Sequence, residues 1–355
     1  MTRVFTYALA GLVALTALPG PASAQVYPER VALTLKARAL DVARAYQGRD
    51  RDQNREEQTE RTTKVLKLGP DGMLALGNIA GDIAVARGGG SDITLEIVKT
   101  ARGRTADEAR EMLRLVPVEI NERAGRADVK AVYPSGEEQR RNNRRNVNVS
   151  VAYTVAAPAG TRVTITSISG GIKVTDIKGD INANSISGDV RITGAGRIGA
   201  AKTISGTVEI VESQSDGPVA GGSVSGDVIL RRVTARRLEA GSVSGNIKLE
   251  DVQGERVSAS TTSGNVWFAG TLAPNGRYEL NAFSGEIRLA LSGNTGFELD
   301  ANSFSGDVRT DLPITMRGVS SRGRGPRKTL SGTYGDGAAV LDLTTFSGSI
   351  VISKR

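Results

Sequence analysis

The chain has 355 residues and a formal charge of +8, from 46 Lys+Arg against 38 Asp+Glu, and it contains neither cysteine nor histidine. That removes disulfides, thiolate nucleophiles, Cys/His zinc sites, haem and iron–sulfur ligation, and every mechanism that turns on an imidazole. Glycine is abundant at 43 residues, well above the usual ~7%, and aromatics are scarce at 4%, so the composition points to a repetitive, turn-dense fold.

Residues 1–24 read as a secretory signal. Arg3 supplies the positive start, an apolar stretch runs from Val4 to Leu18, Pro19 and Pro21 break it, and Ala22-Ser23-Ala24 fits a small-residue cleavage site before Gln25. The stretch is short for a membrane span and no stop-transfer pattern follows, so no membrane span is expected after cleavage. The expected destination is outside the cytoplasm: periplasmic, cell-surface associated or secreted. Residues 25–64 read as a charged arm, partly helical over Val31–Tyr46, with a mixed-charge and flexible run from Arg49 to Arg61.

From residue 65 to 355 the chain reads as one domain. Strands are predicted at Lys64–Leu68, Ile79–Val85, Val116–Ile120 and Val147–Val155. Thr105-Ala106-Asp107-Glu108 is a capping-box pattern that opens a short helix through Leu115, stopped before Pro117.

The dominant feature follows. A short Ser-Gly phrase recurs around Gly170, Gly188, Gly206, Gly226, Gly245, Gly264, Gly285, Gly306 and Gly348, spaced 18 to 21 residues apart except for the last interval of 42. Ser331-Gly332-Thr333 reads as a degenerate copy within that long interval, and Ala80-Gly81-Asp82-Ile83 as a copy far upstream. Two and four residues after the glycine stand β-branched or aliphatic residues such as Ile172 and Val174, or Val190 and Ile192. Two before it stand Ile168, Ile186, Ile204, Val224, Val243, Thr262, Phe283, Phe304 and Phe346. These positions alternate with period 2, the signal of strands, and the glycine marks a bend where a side chain would clash. A fixed period in this range is the signature of stacked coils. The expected fold class is therefore all-β: a parallel β-solenoid, or β-helix, of ~20-residue coils with one short helix inserted in the N-terminal part.

Three stretches carry a resemblance to a known family: Leu76-Gly77-Asn78-Ile79-Ala80-Gly81-Asp82-Ile83, then Val151-Ala152-Tyr153-Thr154-Val155-Ala156-Ala157-Pro158-Ala159-Gly160, and the Ser-Gly-(Asp/Asn) repeats beyond them. The chain resembles the bacterial β-strand-repeat proteins classed as a domain of unknown function and often labelled "putative adhesin", over roughly residues 65–355. The resemblance implies an exported parallel β-solenoid and brings no catalytic motif with it.

Candidate sites recur along the coil. The acidic column just after the glycine (Asp82, Asp189, Asp227, Glu286 and Asp307) is interrupted by Gly171, Thr207, Asn246, Asn265 and Ser349, which suits turn capping better than a metal ladder. Three after the glycine stand Lys173, Arg191, Glu209, Ile229, Lys248, Trp267, Arg288, Arg309 and Val351. With Asp189 beside Arg191, Glu286 beside Arg288 and Asp307 beside Arg309, this face reads as a near-neutral ion-pair lattice that discourages edge aggregation. Trp267 is the candidate sugar-stacking platform. Excess positive charge is read in loops: Arg140, Arg141, Arg144 and Arg145; Arg231, Arg232, Arg236 and Arg237; and Arg317, Arg322, Arg324, Arg327 and Lys328. The first and third clusters are candidate contacts for an anionic ligand.

No catalytic, cofactor or metal residue emerges. Asp176 with Asp180 and Glu250 with Asp251 are carboxylate pairs without distinguishing context. The expected function is a non-enzymatic binding or structural module of the bacterial envelope. Its expected partners are anionic polysaccharide, lipopolysaccharide or another envelope protein; the lack of interleaved aromatics argues against a dedicated nucleic-acid site. A periplasmic accessory in envelope-stress signalling and a carbohydrate-active β-helix enzyme stay open as alternatives.

Overall fold

The computed structural model describes residues 56–135, 147–316 and 328–355. Every strand of these residues joins one hydrogen-bonded sheet, most of it parallel. Each repeat folds as a strand, a glycine corner and a second strand. Asp180–Ser187 turns at Gly188 into Val190–Thr193, and both strands pair in register with the repeats on either side: Ile181 with Val163, and Val190 with Ile172 and Val208. We call each such unit a rung.

Inward residues come from both strands. On the second strand they are the positions two and four after the glycine, such as Val190 and Ile192. On the first they are the positions seven, five and three before it, such as Ile181, Ala183 and Ser185; all five are fully buried. Aliphatic residues from each rung thus stack on their counterparts and build one continuous core. The periodicity expected from the sequence changes phase at the corner. The residue three before the glycine points in, so the residue two before it lies outside the main core. There Ile168, Ile186 and Ile204 bury one another in a small second cluster.

The corner explains the glycine. A Cβ on Gly206 would overlap the carbonyl oxygen of Gly188, one on Gly226 that of Gly206, and one on Gly245 that of Gly226. The corners sit so close that only hydrogen fits between them.

Rung order departs from chain order at both ends. The upstream copy at Gly81 stacks directly on the rung of Gly170: Leu74 pairs with Val163 and Ile83 with Ile172. Described strands from the stretch between these glycines close the N-terminal end. Val149–Ala157 lies parallel to Ile83–Arg87 and antiparallel to Ile93–Gly103, and Glu56–Leu66 covers the latter as an antiparallel edge. Charges expected in the flexible run are therefore strand residues from Glu56 onward. They are held there by cross-strand pairs Arg102–Glu57 (2.9 Å), Lys99–Glu60 (2.8 Å) and Arg61–Glu96 (2.8 Å). The expected helix at Val31–Tyr46 lies outside the described residues.

Thr105 caps the helix as read, while Glu108 reaches one residue further back than a capping box requires, to the amide before the cap. Thr105 Oγ1 accepts from the Glu108 amide (3.2 Å), Glu108 Oε2 accepts from the Arg104 amide (2.8 Å), and the helix runs Ala106–Leu115. It is the one helix among the described residues.

At the C-terminal end the last rung of the sequence, Ala339–Ser347 with Ile350–Lys354, is inserted between the rung of Gly285 and the rung of Gly306. Ser331-Gly332-Thr333 is not a degenerate rung. It belongs to Lys328–Tyr334, which runs antiparallel to Phe297–Ser303.

Candidate functional site

The outward face after the glycine corner is the richest in chemistry. Strand alternation puts Lys173, Arg191, Lys248, Trp267, Arg288 and Arg309 outside while their neighbours fill the core. Ion pairs then form both between adjacent rungs and between residues two apart in one rung. Arg191 pairs with Glu209 (2.6 Å), Arg231 with Glu250 (2.8 Å) and Glu209 (3.8 Å), Lys248 with Glu250 (2.7 Å), Arg288 with Glu286 (2.8 Å) and Arg309 with Asp307 (3.0 Å). Glu250 accepts hydrogen bonds from Lys248 and Arg231, which hold its carboxyl below the usual carboxylate range. The ion-pair lattice read from the sequence is therefore built, with one change of partner. Arg191 is matched by Glu209 of the next rung, whereas the Asp189 side chain turns away from it to accept from the Thr207 amide (2.8 Å).

That second role recurs along the column just after the glycine. Asp82 accepts from the Gly171 amide (2.8 Å), Asp227 from Asn246 (2.7 Å), Asn246 from Asn265 (3.0 Å) and Asn265 from Glu286 (2.9 Å). Each Asp or Asn satisfies an amide of the following rung, the turn chemistry expected of these residue types. No group of three or more acidic residues among those described is placed to hold a metal ion.

Trp267 stands outward and half-exposed between Lys248 and Arg288, with the Lys248 ammonium 5.4 Å from its ring centroid. Small side chains border it, Ala269 and Ala290 lying side by side two residues further along their strands. One face of the indole is thus shared with a cation.

The basic clusters divide. Arg231, Arg232, Arg236 and Arg237 are not in a loop. They lie on the long strand Val228–Ser244, and each has a carboxylate: Glu250 for Arg231, Glu212 for Arg232 (2.6 Å), Glu255 for Arg236 (4.0 Å) and Glu239 for Arg237 (3.8 Å). Lys328 begins a strand and is bound to Asp307, whose carboxyl it and Arg309 hold low. Arg140, Arg141, Arg144 and Arg145, with Arg317, Arg322, Arg324 and Arg327, lie outside the described residues.

The carboxylate pairs considered for catalysis are not drawn together into a cleft. Glu250 is tied into the lattice, while Asp176 and Asp251 are corner residues with φ of 57° and 50°.

Two columns escaped the sequence reading. One is the buried hydroxyl three residues before the glycine. Thr203 donates to Gly188 O (2.9 Å), Ser223 to Gly206 O (2.9 Å), Ser242 to Gly226 O (3.0 Å) and Thr261 to Gly245 O (2.9 Å). The same glycine carbonyl that excludes a Cβ is thus given a donor. The recurrent Ser-x-Ser-Gly phrase carried this signal, because a polar residue at a fixed inward position demands a partner. The other is an exposed aromatic ladder. Phe283, Phe346 and Phe304 stack face to face at 5.0 and 4.7 Å with planes within 5°, and Phe283 and Phe346 are 58% and 46% exposed. Their neighbour relation depends on the inserted rung and could not be read from chain order.

No helix among the described residues is long and apolar enough to cross a membrane. A search of curated proteins finds no match. Among solved structures, the chain is similar to a "putative adhesin" from Bacteroides fragilis (13% identity, TM-score 0.41) and one from Parabacteroides distasonis (11%, 0.43). It is also similar to a "putative lipid binding protein" from Parabacteroides distasonis (13%, 0.43). In each case 83% of this chain and 97% of the other are covered. The sequence itself matches the family described as Toastrack DUF4097 over residues 82–353, and on that match the chain belongs to this family.

Proposed function

We propose that the protein is an exported, non-enzymatic β-solenoid of the bacterial envelope that binds anionic polymers by repeated contacts along its length. The observation that carries this reading is the in-register stacking itself. It sets out the same outward positions rung after rung, a geometry suited to a polymer that also repeats. Charge accounting supports the choice of polymer. The arginines on Val228–Ser244 and Lys328 are matched by carboxylates, so the surplus behind the net charge of +8 resides elsewhere. Arg140, Arg141, Arg144, Arg145, Arg322, Arg324 and Arg327 are part of it. In this reading they attract acidic polysaccharide or lipopolysaccharide phosphates, while Trp267 offers an indole face to a sugar ring. The predicted leader over residues 1–24 supports a destination in the periplasm or beyond.

The test is retention of the full chain on immobilised lipopolysaccharide and on an acidic polysaccharide as salt is raised. Binding should weaken steeply with salt, and neutralising Arg140, Arg141, Arg144 and Arg145 together should reduce it. Trp267→Ala should weaken retention on the polysaccharide more than on a phosphate resin. Salt-independent retention, or none on either matrix, would exclude the reading.

A further inference from the structure

The seat of the last rung differs from every other place in the stack. Ala339–Ser347 and Ile350–Lys354 arrive from the far end of the chain and fill a slot whose two walls are earlier rungs. One edge bonds to the rung of Gly285, through the Gly285 amide to Ser347 O (3.0 Å) and the Ile287 amide to Ser349 O (3.0 Å). The other bonds to the rung of Gly306, through the Ser305 amide to Phe346 O (2.9 Å) and the Ile350 amide to Asp307 O (2.8 Å). Removing this segment would open two parallel strand edges at once, an arrangement that accepts another strand readily.

The connection into the slot is a hinge. Lys328–Tyr334 lies on one side of Phe297–Ser303 and Ala339–Ser347 on the other, so residues 335–338 cross over the end of the strand between them. Gly335 and Gly337 take φ of +60° and +70°. Asp336 fastens the crossing by accepting from the Gly296 amide (3.1 Å), and the Ala339 amide donates to Gly296 O (3.0 Å).

The seat is also electrostatically strained. Asp342 is paired in register with Glu279 on one wall and Asp300 on the other, and like charges directly opposite one another oppose pairing. The charged groups around it are Glu279 and Arg277 from one neighbouring strand and Glu298 and Asp300 from the other, so acids outnumber the cation. Burial, then Asp300, then Glu279 push the Asp342 carboxyl above its ordinary value of 3.8, with Arg277 opposing. The repulsion is therefore present at neutral pH and fades as pH falls through the raised value.

We infer that this slot is a self-association site, in which the segment 339–354 of one copy can seat between the Gly285 and Gly306 rungs of a second copy. The chemistry of the slot does not distinguish the chain that supplies the rung. The walls meet the corner glycine, the Thr345 hydroxyl that donates to Gly285 O (3.1 Å), the Ser353 hydroxyl that donates to Leu289 O (3.2 Å), the Ser349 hydroxyl that accepts from the Asp307 amide (3.3 Å), the inward aliphatics and the Phe346 ring, all of which a second copy carries too. The crossing at residues 335–338 is short and turns on two glycines of positive φ, the kind of connection through which a terminal segment exchanges between protomers.

The absence of native cysteine makes a direct test possible. Ser284 and Ser347 are register partners across the slot, at a strand separation that suits a disulfide. A chain carrying both Ser284→Cys and Ser347→Cys should close an internal disulfide, which verifies the seat. Two differently tagged full-length chains, one with Ser284→Cys and one with Ser347→Cys, are then mixed at high concentration and oxidised. A disulfide-linked heterodimer is expected, well above the level from Ser284→Cys mixed with Ser244→Cys. Heterodimer no greater than in the Ser244→Cys mixture, or a double variant that fails to close internally, would each overturn the inference.

Discussion

Two columns of this molecule run side by side for its whole length and obey opposite rules. At the corner every rung carries glycine. Three residues further, on the outward face, the spatial sequence runs Ala84, Lys173, Arg191, Glu209, Ile229, Lys248, Trp267, Arg288, Val351 and Arg309, with no common size or charge. The corner is fixed by close backbone approach, because an added Cβ would meet a carbonyl oxygen that cannot move without dragging the next rung. The outward column is bounded on one side by solvent, so any side chain fits, and neighbours need only avoid like charge. In a stacked sheet the fold is thus specified inward and at the bend, which leaves the outward column free to carry binding.

The largest effect should come from the corner. Gly226→Ala in the middle of the stack should destabilise by ~3 kcal/mol or more, because two backbones must part to admit a methyl group. Gly222→Ala, where the added carbon finds its nearest neighbours at 3.8 Å, should stay within about 0.5 kcal/mol. Chemical denaturation of both variants decides it; equal losses would break the comparison.

Next come the hydroxyls beneath the corner. Ser242→Ala strips the donor from Gly226 O and should cost about 1–2 kcal/mol. Ser185, buried at the same position in its rung, has no hydrogen-bond partner among the described residues, so Ser185→Ala should cost clearly less. If the two serines lose the same amount, the hydroxyl column acts by packing and the donor argument fails.

The outward lattice should respond more weakly. Glu250→Gln removes the shared partner of Arg231 and Lys248 and should cost about 0.5–1 kcal/mol at neutral pH, less in high salt. Because the carboxyl is held below its ordinary value of 4.5 by those two partners, its contribution is present above that value and is lost as pH falls through the depressed one. Urea midpoints of the native chain and the variant should therefore converge on acidification. A gap that persists at low pH would rule out the ion pairs as its source.

Smallest of all is Trp267→Ala. With nearly half its surface exposed, the indole should contribute within about 0.5 kcal/mol to folding. A large drop in melting temperature would make Trp267 a structural residue and weaken its assignment as a platform.

Much of the site was legible because neighbouring rungs are also neighbours in sequence. From Gly170 to Gly285 the chain order is the stacking order, so Lys248, Trp267 and Arg288 could be placed side by side from spacing alone. The arginines of Val228–Ser244 were misread as a loop because two rungs there run on as single long strands, and a dense run of Arg resembles a solvated turn. The carboxylates of Arg231, Arg232 and Arg236 come from the rungs before and after, 19 or 20 residues away, beyond any local charge pattern, while Arg237 meets Glu239 two residues on.

By itself the sequence determined the period, the strand character of each repeat, the bend at each glycine and the capped helix. All of these rest on forces between residues a few positions apart or one period apart. Only the tertiary structure decided that Gly81 sits beside Gly170, that the last rung enters between Gly285 and Gly306, that the residue two before the glycine leaves the main core, and which cation meets which carboxylate. The physical reason is that the rungs are chemically alike. Any corner glycine can stack on any other, so the repeat pattern cannot state their order; closure of the two chain ends around the stack sets it.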